Sequence, residues 1–466
     1  MESYDLKPTT KNILATLKND KIRRREYIIR FIDFLDNLNQ NASISLDGDW
    51  GSGKTFFIKQ IAYILLQTNK FIRRASNNDF ELNELKSFLG EKAIQDRVLL
   101  PVYYNAWEND NNTDPVLTII KEIIKAYSSS GKFEGDSNVK ERIKDIIKNL
   151  IASFSLEIPI QNSDNTSGST ILNISGVNIA NIVDSFDKFK KENLLKQIEE
   201  QDSIKNKINE LLSTLCIEKG DRFVIFIDEL DRCKPTFAVN LLERIKHYFD
   251  NEYVIFIFST NIIELQNTVK KYYGDNFDSF TYLDKFFDYK FSLPSPDIKN
   301  YLNFIEEPLS SSYVDEHILY IIEHFNLSMR NINHFLSTYK IVSYSFNNSQ
   351  EISDEPGLLF CQECIIPILV YLFLFDKAKY ISFMQGNEDT FFAELINNKK
   401  KDKYAEDFLN LAKNKSSPDP KDIGTLKVMY KKLFSKEKYY KFYDNSKYQF
   451  PNWIKDKIEK SMSCFF

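Results

Sequence analysis

Residues 48–55 have the types and the spacing needed to hold a nucleoside triphosphate. They read Gly-Asp-Trp-Gly-Ser-Gly-Lys-Thr, a full match to the phosphate-binding pattern G-x-x-x-x-G-K-[ST]. The glycines let the backbone turn sharply and bring amide N–H groups against phosphate oxygens. Lys54 would reach the β- and γ-phosphates, and the Thr55 hydroxyl would ligate Mg²⁺. The predicted cofactor-binding residues are Gly48, Asp49, Trp50, Gly51, Ser52, Gly53, Lys54 and Thr55.

Two acids at the end of an apolar run supply the second half of that chemistry. Residues 223–229 read Phe-Val-Ile-Phe-Ile-Asp-Glu, which indicates a buried strand whose carboxyl end carries Asp228 and Glu229. Asp228 would hold Mg²⁺, directly or through water, and Glu229 would act as general base or orient the attacking water. A strand that merely ends in solvated acids is the common alternative, but the complete glycine loop upstream favours a joint nucleotide site.

The acidic segment continues with two more charged residues. Asp231 is a candidate second acid near the γ-phosphate, and we add it to Lys54, Asp228 and Glu229 as a candidate catalytic residue. Arg232 could pair with that acid or reach the nucleotide of a neighbouring subunit. A salt bridge on the loop surface is the alternative for both, and the sequence does not decide between them.

The elements around these motifs alternate between strand and helix. A short strand at 43–46 precedes the glycine loop, and apolar residues follow the loop at helical spacing. This alternation predicts an α/β fold with a mostly parallel, doubly wound sheet. Further strands are predicted at 98–104, 222–227 and 253–258, and further helices at 20–40, around 119–124, at 184–214 and at 237–249.

Composition shifts divide the chain. We predict a P-loop NTPase domain over 1–296, with an insertion at about 128–214, and a mainly helical lid and C-terminal domain over 297–466. Within the insertion, 161–170 reads as a loop or disordered segment, and an alternating run at 154–160 predicts a short strand.

The bulk composition is that of a globular protein. The chain has 466 residues, 43% of them hydrophobic, and a formal charge of −5, so nothing in its net charge draws it to nucleic acid or to an anionic membrane. The longest apolar run, 365–375, is about half a membrane span, and a core helix is favoured. Without a signal peptide, a cytoplasmic chain with no membrane span is expected, and Cys361 and Cys364 are interpreted as buried thiols on a helix.

Several segments, in order along about residues 20–340, resemble the KAP family of P-loop NTPases. The tryptophan inside the glycine loop and the run Asp-Glu-Leu-Asp-Arg-Cys-Lys-Pro at 228–235 are the most specific. The family more often has Asp where this chain has Glu229. Weaker similarities lie at 104–107 (Tyr-Asn-Ala-Trp), 114–115 (Asp-Pro), 282–285, 293–294 and 328–332.

The resemblance implies an additional-strand (ASCE-type) ATPase that uses ATP and Mg²⁺. In that class a polar residue after the next strand senses the γ-phosphate, and Asn261 is the candidate here, with Thr260 second. Arg330 is a candidate second sensor from the helical lid, because its fork can hold two phosphate oxygens; a surface or helix-cap arginine is the alternative. Many family members carry membrane spans between the two motifs, and the polar stretch here implies a soluble member.

The resemblance also implies a role. KAP proteins occur in prokaryotic defence against phages and plasmids, so we expect an ATPase that works with partner effector proteins. A nucleotide-gated scaffold that forms an ATP-dependent homo-oligomer, with little hydrolysis, is the alternative. A DNA-acting motor ranks last, although Lys and Tyr mix from residue 399 onward in a way that could contact nucleic acid. We do not favour that contact.

Overall fold

The computed structural model of the protein describes most of the chain. The described residues are 7–20, 23–69, 98–111, 114–129, 197–219, 222–295, 312–347, 361–396, 423–434 and 454–463, with parts of 83–90, 142–150 and 297–302. They divide into two compact units, Lys7–Asp297 and a second that begins at Ile298.

A five-stranded sheet is the centre of the first unit. Its strands are β1 (Ala42–Asp47), β2 (Leu99–Asn105), β3 (Arg222–Asp228), β4 (Val254–Thr260) and β5 (Tyr289–Ser292). All neighbours are parallel, in the order β2-β3-β4-β1-β5. β4 therefore lies between the strand that leads into the glycine loop and the strand that ends in the acid pair, as the resemblance to additional-strand NTPases implies.

Helices cover both faces of this sheet. They are α1 (Thr10–Asn19), α2 (Arg25–Asp36), α3 (Lys54–Thr68), α4 (Pro115–Ser129), α5 (Gln197–Lys219), α6 (Pro235–Tyr248), α7 (Ile262–Tyr273) and α8 (Ser279–Asp284). α3 packs on β2 and β4 and also contacts α1 and α2, whereas α4 packs on β2 and contacts α6, which in turn contacts α5 and α7. The predicted doubly wound, mostly parallel α/β fold is confirmed.

The sequence pattern explains which strands lie deepest. Every residue of β4 is buried, and so is every residue of β3 after its first, which fits continuous apolar runs with helices on both faces.

Two of the helices begin at a proline, a residue suited to the first helical position. Pro115 and Pro235 are the first residues of α4 and α6, where a missing N–H costs no intrahelical bond.

The elements that the structure describes in the second unit are all helical. Its helices are α9 (Ser312–His324), α10 (Met329–Asn347), α11 (Ile366–Phe375), α12 (Lys377–Met384), α13 (Asp389–Ile396), α14 (Ile423–Phe434) and α15 (Ile454–Ser463). Tyr430, which belongs to the Lys- and Tyr-rich part of the sequence, is fully buried and donates its hydroxyl to the Phe383 carbonyl at 2.7 Å. Its ring is therefore part of the core.

The predicted core helix at 365–375 starts later than expected. A π-helical segment, Cys361–Ile365, precedes α11, and it carries both Cys361 and Cys364 as fully buried free thiols. Burial raises the pKa of Cys361. Among the helices that the structure describes, none has both the length and the apolar character that crossing a bilayer requires.

The structure shifts several predicted boundaries by a few residues and adds elements that the sequence did not predict. The charged helix predicted at 184–214 is described as Gln197–Lys219, and 184–196 lie outside the described residues. The strand predicted at 154–160 and the loop at 161–170 also lie outside them. The elements without a sequence prediction are α1, α7, α8 and β5.

Candidate nucleotide-binding site

The glycine loop connects β1 to α3 at the carboxyl edge of the sheet. Gly53 caps α3 at φ 88°, ψ 25°, a left-handed conformation that only glycine adopts without strain. A Cβ on Gly48 would lie 2.9 Å from Ser52 Oγ, so a larger residue there would require the Ser52 hydroxyl to move. The loop therefore presents the free N–H groups and the positive end of α3 to this edge, which is the geometry of an anion site.

Lys54 lies inside the loop that it is expected to serve. Its ammonium donates hydrogen bonds to the carbonyls of Gly48 and Asp49, the latter at 3.1 Å. Burial lowers the pKa of Lys54, and the charges of Asp231 and Asp228 act in the opposite direction. Asp228 and Asp231 of the acidic segment are therefore close enough to Lys54 to influence its pKa.

A buried arginine, Arg24, is hydrogen-bonded to the backbone of the glycine loop. Arg24 is 1% exposed, and its Nη2 donates to the carbonyls of Ser52 at 2.8 Å and Pro294 at 2.7 Å. Its Nε and Nη1 have no hydrogen-bond partner among the described residues, and burial lowers its pKa to about 10. Arg24 thus ties the glycine loop to the segment that follows β5.

Asp228 is a buried carboxylate at the end of β3. It is 1% exposed, its Oδ2 accepts the Tyr103 hydroxyl at 2.9 Å, and its Oδ1 accepts the backbone N–H of Glu229 at 3.1 Å. Burial, and after it the charge of Asp228, raises the pKa of Tyr103. The Lys59 ammonium of α3 lies 4.3 Å from the centre of the Tyr103 ring, so Tyr103 connects the loop helix to the acid.

Glu229 stands in a strained conformation and has partners on both carboxylate oxygens. Its φ of 60° costs a residue other than glycine roughly 1–2 kcal/mol. Oε1 pairs with Arg232 Nη1 at 2.7 Å, and Asn105 Nδ2 lies 3.4 Å from Oε2. The Arg232 guanidinium also lies 5.5 Å from the centre of the Trp107 ring. The sequence left open for Arg232 a pairing with Asp231, a reach to the nucleotide of a neighbouring subunit, or a salt bridge on the loop. In this chain Arg232 forms a salt bridge with Glu229, and the reach to a neighbouring subunit stays a prediction.

The two motifs touch through Trp50 and Asp231. The indole Nε1 of Trp50, inside the glycine loop, donates to Asp231 Oδ2 at 2.5 Å. In register, Asp228 lies opposite Ser259, and Ser259 lies opposite Leu46, so β1 and β3 are two strand spacings, about 10 Å, apart. The structure thus brings the glycine loop and the acidic segment together at one edge of the sheet.

The candidate sensors lie in different places. Asn261 follows β4 directly, and its Oδ1 caps α7 by accepting the N–H groups of Ile263 and Glu264 at 3.1 and 3.3 Å. Thr260 is fully buried, and its Oγ1 has no hydrogen-bond partner among the described residues. Arg330 is exposed in the first turn of α10, in the second unit. Their roles in sensing phosphate stay predictions.

Sequence reasoning assigned no role to four residues that surround the motifs. Arg24 carries no local signal, because its partners are remote carbonyl groups. Tyr103, Asn105 and Trp107 lie at or near the end of β2, beside the acidic segment, and they could have been suspected since parallel neighbours end at one edge. The missing information was that the predicted strand at 98–104 pairs with the strand that ends in Asp228.

Comparison with known proteins assigns the chain to a family. A model of the KAP family P-loop domain matches residues 24–346, well over half of the chain. The chain belongs to the KAP family. The matched region begins at Arg24 and includes both nucleotide motifs, so the predicted family is confirmed and the site described above is that of a P-loop nucleotide-binding domain.

Two individual proteins are similar to the KAP chain. An uncharacterized protein of Methanocaldococcus jannaschii is 31% identical over 167 residues, which cover 31% of this chain and 82% of that protein. The solved ORC2 protein of Aeropyrum pernix, in ADPNP–ADP complexes, aligns with 95% of this chain and 85% of its own at a TM-score of 0.33 and 12% identity.

The residues present fit a magnesium ion. Asp228 and Thr55 offer oxygen ligands, which Mg²⁺ prefers, at the edge where the glycine loop would place phosphates. The Asp228 carboxylate is 1% exposed, and its donors among the described residues, the Tyr103 hydroxyl and the Glu229 N–H, are both uncharged. A divalent cation held there would compensate the carboxylate charge.

Proposed function

We propose that the chain is a Mg²⁺-dependent ATP hydrolase whose cycle drives conformational change or assembly in a prokaryotic anti-phage or anti-plasmid defence complex. Family membership supports nucleotide binding. The observation that carries the hydrolytic part is the 2.5 Å hydrogen bond between Trp50 and Asp231, which joins the phosphate loop to the acidic segment that contains Glu229. ATP is the proposed nucleotide because no guanine-reading N-K-x-D follows β4.

Each residue of the site has a separate task in this proposal. Lys54 and the loop N–H groups hold the phosphates, while Thr55 and Asp228 hold the metal. Bound Mg²⁺ would neutralise charge on the β- and γ-phosphates. Glu229 then orients a water and accepts its proton, so catalysis depends on positioning and on stabilisation of charge.

Replacement of Glu229 by Gln tests the hydrolytic role. The amide keeps the side-chain shape but cannot accept the proton, so phosphate release should fall by about a hundredfold or more. The dissociation constant for ATP, measured by calorimetry, should change by less than about threefold. Glu122→Gln, at an exposed i,i+3 pair with Lys125, is the matched control and should hydrolyse ATP as the wild type does. Turnover near the wild-type rate in Glu229→Gln would remove Glu229 from the role.

A nucleotide-gated scaffold with little hydrolysis is the second candidate. One observation favours it: both carboxylate oxygens of Glu229 already face a donor, Arg232 or Asn105. In that case ATP would change the mass of the particle in solution, measured by light scattering, while phosphate release stayed negligible. A monomer with and without ATP, together with rapid turnover, would exclude the scaffold.

The defence role is tested separately from the chemistry. Cells that carry the chain with its neighbouring genes should resist phage challenge, and Lys54→Ala should abolish the resistance while the protein level stays the same. Equal plaque counts with and without the wild-type chain would contradict the defence proposal and leave the ATPase proposal intact.

A further inference from the structure

We propose that Arg232 is a positioning residue that holds Glu229 in a resting orientation, and that the turn carrying Trp107 keeps Arg232 in place. This inference rests on the proposed role of Glu229 in hydrolysis. It concerns how fast the site turns over and not whether it binds nucleotide. The residues that form this clamp are Glu229, Arg232, Asn105 and Trp107.

The contact between Arg232 and Glu229 is well shielded. The two side chains are only 25% and 18% exposed, and the nitrogen–oxygen distance is 2.7 Å. A guanidinium at that distance takes one acceptor position of that oxygen and fixes its direction. The second oxygen faces the Asn105 amide at 3.4 Å. A rotation of the carboxylate toward a water would therefore break at least one of these contacts.

One turn supports both partners of the carboxylate. Asn105 accepts the backbone N–H of Trp107 on its side-chain oxygen at 3.0 Å, so the amide and the indole belong to one small unit. Trp107 in turn offers its ring to Arg232 at 5.5 Å, a distance suited to a cation–π contact. A shift of this turn would therefore move the Asn105 amide and the support of Arg232 together.

Further contacts tie the turn to the acidic segment. The Ala106 N–H donates to the Asp228 carbonyl at 2.9 Å, and the Lys234 ammonium lies 3.9 Å from the Asp110 carboxylate. Trp107 itself is 51% exposed. The ring that stabilises Arg232 is therefore accessible at the surface, and a contact made there would act on Glu229 through a single intervening side chain.

Kinetics of Arg232→Gln test the clamp. Removal of the guanidinium frees Glu229, so we expect kcat for ATP hydrolysis to rise about three- to tenfold while KM changes by less than twofold. Arg232→Lys should lie between the two, because an ammonium cannot stack on Trp107 and pair with the carboxylate as the planar fork does. Trp107→Leu should raise kcat by less, and the Arg232→Gln/Trp107→Leu double variant should not exceed Arg232→Gln alone.

Arg244→Gln is the matched control. Arg244 also pairs with a shielded carboxylate, Asp114, at 2.5 Å and lies 6.0 Å from an aromatic ring, that of Tyr248. Its loss should lower the thermal midpoint without raising kcat. An equal rise in Arg244→Gln would show that looser packing, and not release of Glu229, is the cause.

A measurement without nucleotide tests the contact itself. We expect the thermal midpoints of Arg232→Gln, Glu229→Gln and the double variant to be non-additive, with the double variant losing less than the sum. Additive losses would overturn the clamp, and so would a kcat of Arg232→Gln and Arg232→Lys at or below the wild-type value. If Glu229→Gln hydrolyses ATP like the wild type, the proposed function fails first and the clamp fails with it.

Discussion

The candidate site has two sides, which we call its walls: the glycine loop with Arg24, and the acidic segment with the end of β2. Different kinds of contact hold the two walls. On the glycine-loop side, Lys54 and Arg24 donate to main-chain carbonyls, which cannot rotate away. On the acidic side, the contacts join one side chain to another, as between Tyr103 and Asp228 or Arg232 and Glu229. The first wall is therefore a fixed cradle, whereas the second can exchange partners when a ligand arrives.

In the proposed hydrolysis cycle, this difference would assign phosphate binding to the fixed wall and the timing of hydrolysis to the adjustable wall. A fixed wall suits the phosphates, because pre-formed N–H groups lose little entropy on binding. An adjustable wall would suit hydrolysis, the step that waits for a trigger, because side chains reorient more easily than the backbone of the loop. Substitutions on the first wall should therefore change affinity, and substitutions on the second should change metal use or rate.

Lys54→Ala should have the largest effect, on the fixed wall. Loss of the ammonium removes charge-assisted bonds to two phosphates, so ATP affinity should fall about a hundredfold, the equivalent of about 2.7 kcal/mol. Calorimetry measures the dissociation constant for ATP. Lys125→Ala, on an exposed helical face, is the control and should bind ATP normally. Wild-type affinity in Lys54→Ala would mean that the loop does not hold the phosphates.

Asp228→Asn should have an intermediate effect, on the adjustable wall. The amide is a weaker ligand for Mg²⁺, so the Mg²⁺ concentration for half-maximal phosphate release should rise about tenfold or more. Tyr103→Phe keeps the carboxylate and removes only its 2.9 Å hydrogen bond, so it should shift that concentration by about threefold at most. Chelation of Mg²⁺ should stop turnover in the wild type and in both variants. An unchanged metal requirement in Asp228→Asn would place the metal elsewhere.

Trp50→Phe should have a smaller effect than Lys54→Ala and Asp228→Asn, because it removes one hydrogen bond, the direct link between the walls. The ring is kept and the hydrogen bond to Asp231 is lost, which costs about 1 kcal/mol, or about fivefold in affinity. We expect this loss to appear in both ATP affinity and Mg²⁺ requirement, since the link touches both walls. A change in only one of them would show that the walls respond independently.

The sequence predicted the fixed wall more completely than the adjustable one. Each fixed position of the glycine-loop pattern has a separate chemical task, so residue types alone identify the loop. Tyr103 and Asn105 lie beside the acids only because β2 pairs with β3. A single sequence does not show which strands are neighbours. Glu229 was predicted as a catalytic residue, but not its left-handed backbone or its pairing with Arg232.

The fold class followed from the alternation of strands and helices, but its short elements did not. β5 has only four residues, Tyr289–Ser292, too few for a periodic pattern to stand out from a loop. The π-helical segment before α11 was also unpredicted. The sequence indicated a helix at Cys361 and Cys364, and a single turn with i→i+5 bonds is too short to be told from an α-helix by residue types.

The buried guanidinium of Arg24 has a consequence for synthesis of the chain. Its two acceptors, the carbonyls of Ser52 and Pro294, are far apart in sequence, and Pro294 is 270 residues from Arg24 itself. β1 likewise finds both of its neighbours, β4 and β5, only after residue 253. At translation rates of about 5–20 residues per second, Arg24 is made roughly 14–54 s before Pro294. Until then a ribosome-bound fragment holds the whole glycine motif without the anchor that fixes its shape.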